Sequence, residues 1–465
     1  MRGLVLALAS GVCAAQDAPE KLAHPIAADV ALKVDKVAND ALASTGVPSA
    51  SIAIVQDGHI AYLHAYGLAR IHPATAATPG MRYEIGSISK QFTAAALLLL
   101  QQDGKLSLDD PAAKYLPELT RARDITIRML LTHTSGYSDY WPQDYVMLPM
   151  VRPTTTEHIL DTWAKEPLDF EPGTRWQYSN TNYVIAARII ELVTGEPYLR
   201  TITRSILQPL GLASAIDVDT GEALSSGAEG YQRAALGPLR PALHEGKGWM
   251  FGAFELAMTP EDLARWDISM MNRSLLKPES YAQMFTTAKL KDGSDTGYGL
   301  GVSIRALGGH VSISHGGESS GFVADNIFYP DSHVAIVVLT NEMAAQAAGE
   351  IASGIAPLLL GNASGASLTK DEARALSIFK GLQDGRIDRV QITPNLQGYF
   401  DEQTLLEFAS SLKPLGPPLS FQQTGTTLRG GMTFRSYQAT FASRTLTVTT
   451  YEKPGGKLEQ YLVIP

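Results

Sequence analysis

The sequence predicts an α/β sandwich followed by a small C-terminal α+β module. Two observations carry this. Within residues 27–361, β-type segments gather at both ends while the middle reads as helices and loops. After a stretch rich in small residues at 362–368, the pattern changes to two helices and then four short strands over residues 369–465. A body whose β segments come from both ends of its chain closes one sheet with helices on its faces.

The elements follow in order. Ala27 to Ser44 has helical spacing. Ala50 to Val55 and Ile60 to Tyr66 flank Asp57-Gly58, a two-residue hairpin signal. A helix begins at Ser87 and ends near Asp103-Gly104. The loop- and helix-rich middle is punctuated by Pro111, Pro117, Pro142, Pro149 and Pro153. Asn180 to Val193 reads as a helix closed by Thr194-Gly195, and Thr259-Pro260-Glu-Asp262 as a helix start. Strands are expected at Tyr298 to Ile304, Val311 to His315, Phe322 to Tyr329 and Val334 to Leu339, with a closing helix from Ala344 to Leu360. In the module, Lys370 to Gln383 and Asp401 to Leu412 read as helices. Strands are expected at Leu428 to Arg435, Gln438 to Phe441, Leu446 to Tyr451 and Gln460 to Ile464. Arg429-Gly-Gly431 and Pro454-Gly-Gly456 supply turns.

Composition narrows the function classes. The chain has 465 residues, 45% hydrophobic and 18% charged, as in an ordinary globular protein. Its net charge of -9 argues against nucleic acid or an anionic membrane as the main partner. Residues 1–15 combine one basic residue, a short apolar core and small residues at Ala14-Ala15, the pattern of a secretory signal peptide. Export places the protein outside the cell or in a periplasm. The single cysteine, Cys13, lies inside this segment, so a processed chain has no disulfide and no thiol nucleophile. No segment reaches the 18 apolar residues of a membrane span.

The chemistry-bearing signals are three. The first is Ser87-x-x-Lys90, where a polar segment turns into the apolar run ending at Leu100. In a helix these two residues share a face. Ser87 then lies in the first turn, beside free N–H groups, and desolvation of Lys90 frees it to act as a base. Serine-x-x-lysine occurs five times, from Ser87, Ser274, Ser367, Ser377 and Ser410. Only Ser87 opens an apolar helix behind a glycine. The second signal is Tyr178-x-Asn180. A tyrosine near a lysine can be held as phenolate and shuttle protons, while the plain alternative is a loop tyrosine with Asn180 capping the next helix. The third is His315-x-Gly317, followed by Glu318, at the end of an expected strand. Its plain reading is a turn histidine.

Taken together, Ser87-x-x-Lys90, Tyr178-x-Asn180 and His315-x-Gly317 resemble, in order, the motifs of the serine β-lactamase-like hydrolases. That group includes class C β-lactamases, D-alanyl-D-alanine carboxypeptidases, D-aminopeptidases and β-lactamase-fold esterases. The surroundings agree: Leu130-Leu-Thr-His133-Thr-Ser-Gly136, Gln208-Pro-Leu-Gly211 and Leu339-Thr-Asn341. The resemblance covers roughly Ala27 to Leu360. It implies a β-lactamase/transpeptidase-like sandwich, with an antiparallel sheet flanked by helices plus an all-helical region. It implies Ser87 as nucleophile, Lys90 and Tyr178 as acid/base partners, and Asn180, His315, Gly317 and Glu318 as substrate-binding residues, with the Ser87 and Glu318 N–H groups as oxyanion hole. It calls for no metal and no organic cofactor.

The third motif departs from the class C pattern, which has lysine where this chain has His315. A neutral imidazole holds a carboxylate less strongly than an ammonium, which argues against efficient β-lactam hydrolysis. The expected activity is opening of amide or ester bonds through an acyl-Ser87 intermediate, on peptides bearing D-amino acids. Alternatives are a carboxylesterase, a weak β-lactamase and a catalytically inactive ligand-binding homologue. Gly317-Glu-Ser319-Ser-Gly321 also fits the elbow of α/β-hydrolases, but that elbow needs a helix next, and Phe322 to Tyr329 reads as a strand. Expected partners are a small-molecule or peptide substrate, with self-association through the C-terminal module as a further option.

Overall fold

The computed structural model describes residues 22–464 except 144, 221–226, 236, 308–309, 361–368, 430–431 and 442–443, and omits the side chains of 306–307 and 427–429. The signal-peptide segment 1–15, the 362–368 linker and the glycines of the Arg429-Gly-Gly431 turn lie outside the described residues.

The main sheet has seven antiparallel strands. They are β1 (Ser49–Gln56), β2 (His59–Arg70), β3 (Thr75–Ala76), β4 (Ser303–Leu307), β5 (His310–Ser319), β6 (Phe322–Tyr329) and β7 (Val334–Thr340), in the order β3-β2-β1-β7-β6-β5-β4. The early and late strands of the sandwich meet at the β1–β7 seam, where Ala50 faces Thr340 and Ile52 faces Val338. The β1–β2 turn places Asp57 and Gly58 at φ 52° and 79°, as a hairpin of the right twist requires.

Both faces of the sheet are covered, which is why β1 and β7 are buried almost throughout rather than alternating. Ile52, Ile54, Ile336 and Val338 pack under α1 (Ala28–Thr45) and α5 (Ala347–Leu360). Ala53, Val55, Val337 and Leu339 belong to the larger core on the other face. That core also holds α2 (Ser89–Gln102), α3 (Asn180–Thr194) and α4 (Pro260–Asn272). Sequence chemistry sets the helix ends. Gly195, at φ 69°, closes α3 through its N–H to the Glu191 carbonyl. Thr259 caps α4 by accepting the Asp262 N–H, with Pro260 in the first position.

A buried polar chain fixes α2 to the sheet. Trp266 Nε1 donates to Gln91 Oε1 at 2.6 Å, Gln91 Nε2 to Asn326 Oδ1 at 3.0 Å, and Asn326 Nδ2 to both Asp267 oxygens at 2.7 and 2.8 Å. Phe92 stacks on Trp266 with centroids 4.3 Å apart. A chain in which every link is satisfied specifies one placement of the helix.

Three expectations are corrected. Residues 298–302 are not strand: glycines 297, 299 and 301 keep the chain turning, and β4 begins at Ser303. His315 is not at a strand end: β5 runs on through both glycines to Ser319, paired with β6 from His315–Asn326 to Ser319–Phe322. In the C-terminal module, β8 (Ser420–Arg429) precedes β9 (Met432–Thr440), so the strand expected at Leu428 to Arg435 joins the end of one to the start of the next. Its Gln- and Thr-rich sequence hid β8. With β10 (Thr445–Glu452) and β11 (Leu458–Ile464) they form a four-stranded sheet. This sheet shares a core with α6 (Lys370–Gln383) and α7 (Glu402–Leu412) through Phe379, Leu382, Leu412, Phe421 and Val448.

Candidate active site

The chain brings Ser87, Lys90, Tyr178, Asn180, His315, Gly317 and Glu318 to one region at the free part of β5. Strand β4 pairs only with His310 to Ser314, so residues 315–319 form an open edge. All but Lys90 line a cleft of about 630 Å³.

Ser87 sits in a 3₁₀ turn, Gly86–Ile88, that precedes α2, rather than in the first turn of the helix itself. Gly86, at φ 51°, makes this turn possible and lets it press on β5: a Cβ there would meet the Glu318 backbone nitrogen at 2.6 Å. Gly317 answers from the strand, where a Cβ would stand 2.0 Å from the Ile85 carbonyl oxygen. The two glycines together set the backbone distance between the serine turn and β5.

Lys90, the second residue of α2, is fully buried. Its Nζ donates to Ser87 Oγ at 2.9 Å and to the Ala253 carbonyl at 3.2 Å. It lies 4.2 Å from the Phe254 ring centroid and 5.0 Å from that of Tyr178. Burial pushes this amine well below the usual lysine range, opposed only by the charge of Asp139. Burial likewise raises the Tyr178 phenol, partly offset by its hydrogen bond with Ser87. Burial thus favours a neutral amine beside a neutral phenol, against the expected phenolate. A hydroxyl hydrogen-bonded to a neutral amine on one side and a phenol on the other can lose a proton to the first while the second relays one.

Asn180 is the first residue of α3. Its Nδ2 donates to Asp139 Oδ2 and to the Trp141 carbonyl, both at 3.2 Å. Its Oδ1 is buried without a partner among the described residues, an unsatisfied acceptor on a residue that lines the cleft. His315 is engaged at both ring nitrogens: Nε2 with Tyr298 Oη at 2.8 Å and Nδ1 with the Gly316 carbonyl at 2.5 Å. Burial first, then the nearby Lys90, lower it to about 4. At neutral pH it offers a substrate carboxylate no charge. The Glu318 carboxylate accepts from the Ala344 N–H at 2.7 Å and ties a wall of the cleft to β5.

Three site members escaped sequence reasoning. Asp139 holds the Asn180 backbone N–H at 2.9 Å and its side chain, and lies in a loop with no periodic signal. Tyr298 engages His315 across 17 positions. His133 stacks on Tyr178 with centroids 4.3 Å apart. It stood in a motif that carried the resemblance, but nothing in the sequence placed it beneath Tyr178.

A family model described as Beta-lactamase matches residues 34–359. The chain belongs to the Beta-lactamase family. A D-aminopeptidase of Brucella anthropi is 28% identical over 302 residues, covering 63% of this chain and 56% of that protein. The chain therefore spans little more than half of that relative. A D-stereospecific amidohydrolase from a Streptomyces species matches in structure with a TM-score of 0.60 at 27% identity, covering 69% of this chain and 96% of that one. The octameric penicillin-binding protein homologue of Pyrococcus abyssi matches with a TM-score of 0.63 at 23% identity, covering 94% of this chain and 100% of that one. This likeness of fold extends beyond the family match into the C-terminal module. Among the described residues no helix is long and apolar enough to cross a membrane.

Proposed function

We propose that the protein is a serine hydrolase that opens amide bonds of D-amino-acid peptides or amides through an acyl-Ser87 intermediate. The observation that carries this is the 2.9 Å contact between the Lys90 amine, stripped of solvent, and Ser87 Oγ. Neutral Lys90 takes the hydroxyl proton as Oγ attacks the carbonyl carbon, and Tyr178 relays a proton to the leaving nitrogen. The Ser87 and Glu318 N–H groups receive the oxyanion, at a backbone spacing set by Gly86 and Gly317. Asn180 Oδ1 accepts a substrate N–H. Water then attacks the acyl ester and regenerates Ser87.

The charge of the cleft bears on which peptide end is favoured. Asp139, Glu318 and Asp325 line it, and no lysine or arginine does so among the described residues. With His315 neutral, this wall offers a carboxylate no cation, and its acids, of which burial pushes Asp325 up to about 7 and also raises Asp139, accept an amine, in keeping with D-aminopeptidase and D-amidohydrolase relatives. A panel of D-amino acid amides, D-Ala-D-Ala peptides with a free carboxylate, p-nitrophenyl esters and nitrocefin tests this. The amides are expected to have the highest kcat/KM; nitrocefin or the carboxylate peptides ranking first refutes it, and esters ranking first favours the carboxylesterase reading.

The Lys90 assignment predicts a pH profile. A base that must be neutral loses activity as pH falls through its own pKa. That acid limb is expected far below 10.5, the ordinary lysine value, with a plateau above it. A limb near the ordinary value refutes a desolvated amine. Lys90→Arg, which cannot lose its proton, is expected to lower kcat about 10³-fold.

The N-terminal pattern supports export, to be tested by N-terminal sequencing of protein from cell fractions. The octameric neighbour supports self-association, and a route through the C-terminal module is to be tested by light scattering with and without residues beyond 364.

A further inference from the structure

We infer that His133 is the positioning residue for Tyr178, holding the phenol and the following Asn180 in register with Ser87. The inference rests on the reading of Tyr178 as a proton relay. Tyr178 is flanked by two backbone N–H groups, and both end on this one residue: Gln177 N–H on the His133 carbonyl at 3.0 Å, and Ser179 N–H on its Nδ1 at 3.1 Å. The Tyr178 backbone cannot slide without breaking one of them. The imidazole lies along the phenol ring, centroids 4.3 Å apart and planes inclined by 34°. It thus holds the same side chain by its backbone on two sides and by its ring face.

The conformation of His133 fits this task. Its φ of 58° is left-handed, a region that non-glycine residues seldom adopt. It is fully buried. Because Nδ1 accepts a backbone N–H, the ring proton belongs on Nε2. That atom has no hydrogen-bond partner among the described residues, and the imidazole ring as a whole packs against Tyr178, Tyr183 and Tyr298, with centroids 4.3, 5.3 and 5.0 Å away. A buried polar atom left without a bond is a feature that packing alone does not call for. His133 therefore works as a fixed neutral brace, not as an acid or base.

The test separates the acceptor from the bulk. His133→Asn keeps an acceptor near the Nδ1 position and tolerates positive φ. His133→Leu keeps volume and removes the acceptor, and the strain it adds at positive φ is read separately as a fall in melting temperature. The leucine variant is expected to lose about 10²-fold in kcat, with KM changed less than about threefold, as for a displaced catalytic group. The asparagine variant is expected to stay within about fivefold of wild type. In both, the acid limb of the pH profile stays in place. In a Tyr178→Phe background, read by the rate of fluorophosphonate labelling of Ser87, the leucine substitution is expected to add less than about threefold. An asparagine variant as impaired as leucine overturns the inference, and so does the same loss in both backgrounds. Should the leucine variant not fold, His133→Gln, which also lacks the Nδ1 acceptor, supplies the contrast. Absence of Ser87-dependent labelling in the wild type would instead refute the proposed function.

Discussion

Ser87→Ala is expected to lower turnover of every accepted substrate by on the order of 10⁵–10⁶-fold, the loss seen when a nucleophile is removed from a preorganised site. Intact-mass measurement should show an acyl adduct on wild type after rapid quenching and none on the variant. The fold should tolerate the change, because Lys90 Nζ retains its bond to the Ala253 carbonyl and its place over the Phe254 ring. A melting temperature close to wild type is therefore the expected companion result. A variant that is still acylated, or that still turns over amides at more than a hundredth of the wild-type rate, removes Ser87 from the mechanism and with it the proposed function.

The second large effect lies in the strand. Gly317→Ala would set a methyl group 2.0 Å from the Ile85 carbonyl oxygen, which belongs to backbone and has no rotamer to escape into. The serine turn and β5 must move apart by an ångström or more. Displacement on that scale and the spoiled oxyanion contact together are expected to cost about 10²–10³-fold in kcat. The adjacent glycine is the control. A Cβ on Gly316 meets nothing closer than the Ala324 carbonyl at 3.9 Å, an ordinary contact. Gly316→Ala, on the cleft wall but with room for a methyl group, should lose far less than Gly317→Ala. Equal losses in the two variants would show that strand flexibility, and not the spacing to the serine turn, governs the rate.

Local chemistry was readable wherever one residue type has one physical use. Asp57-Gly58 announced its hairpin, Thr194-Gly195 its helix end, and Thr259-Pro260 its helix start, and each stands where expected. The three motif pairs were readable because their members are close in sequence. Errors arose where tertiary packing outvotes propensity. Gly316 and Gly317 suggested an end to β5, yet pairing with β6 and the need for close approach to Ile85 carry the strand through them. Ser87 was assigned to the helix proper, while the positive φ of Gly86 forces a tighter turn before α2. Asp139, Tyr298 and His133 were out of reach because each meets its partner from a distant part of the chain, where no spacing rule applies. Proximity of a lysine to Tyr178 was legible in the sequence, but the burial that lowers the amine and raises the phenol was not.

The seam between β1 and β7 has a consequence for when the site is complete. Ser49 donates its N–H to the side chain of Asn341 at 2.8 Å, across 292 positions. Ser87 and Lys90 leave the ribosome early, but Tyr178 comes later and Gly317 later still. The strand that joins the two halves ends only at Thr340. Contacts of such sequence separation form late. A chain stopped before β5 carries the serine and the lysine without residues 315–319, the open edge of the cleft. The order of the chain thus leaves the cleft incomplete until β5 is made, and the sheet unclosed until β7 follows.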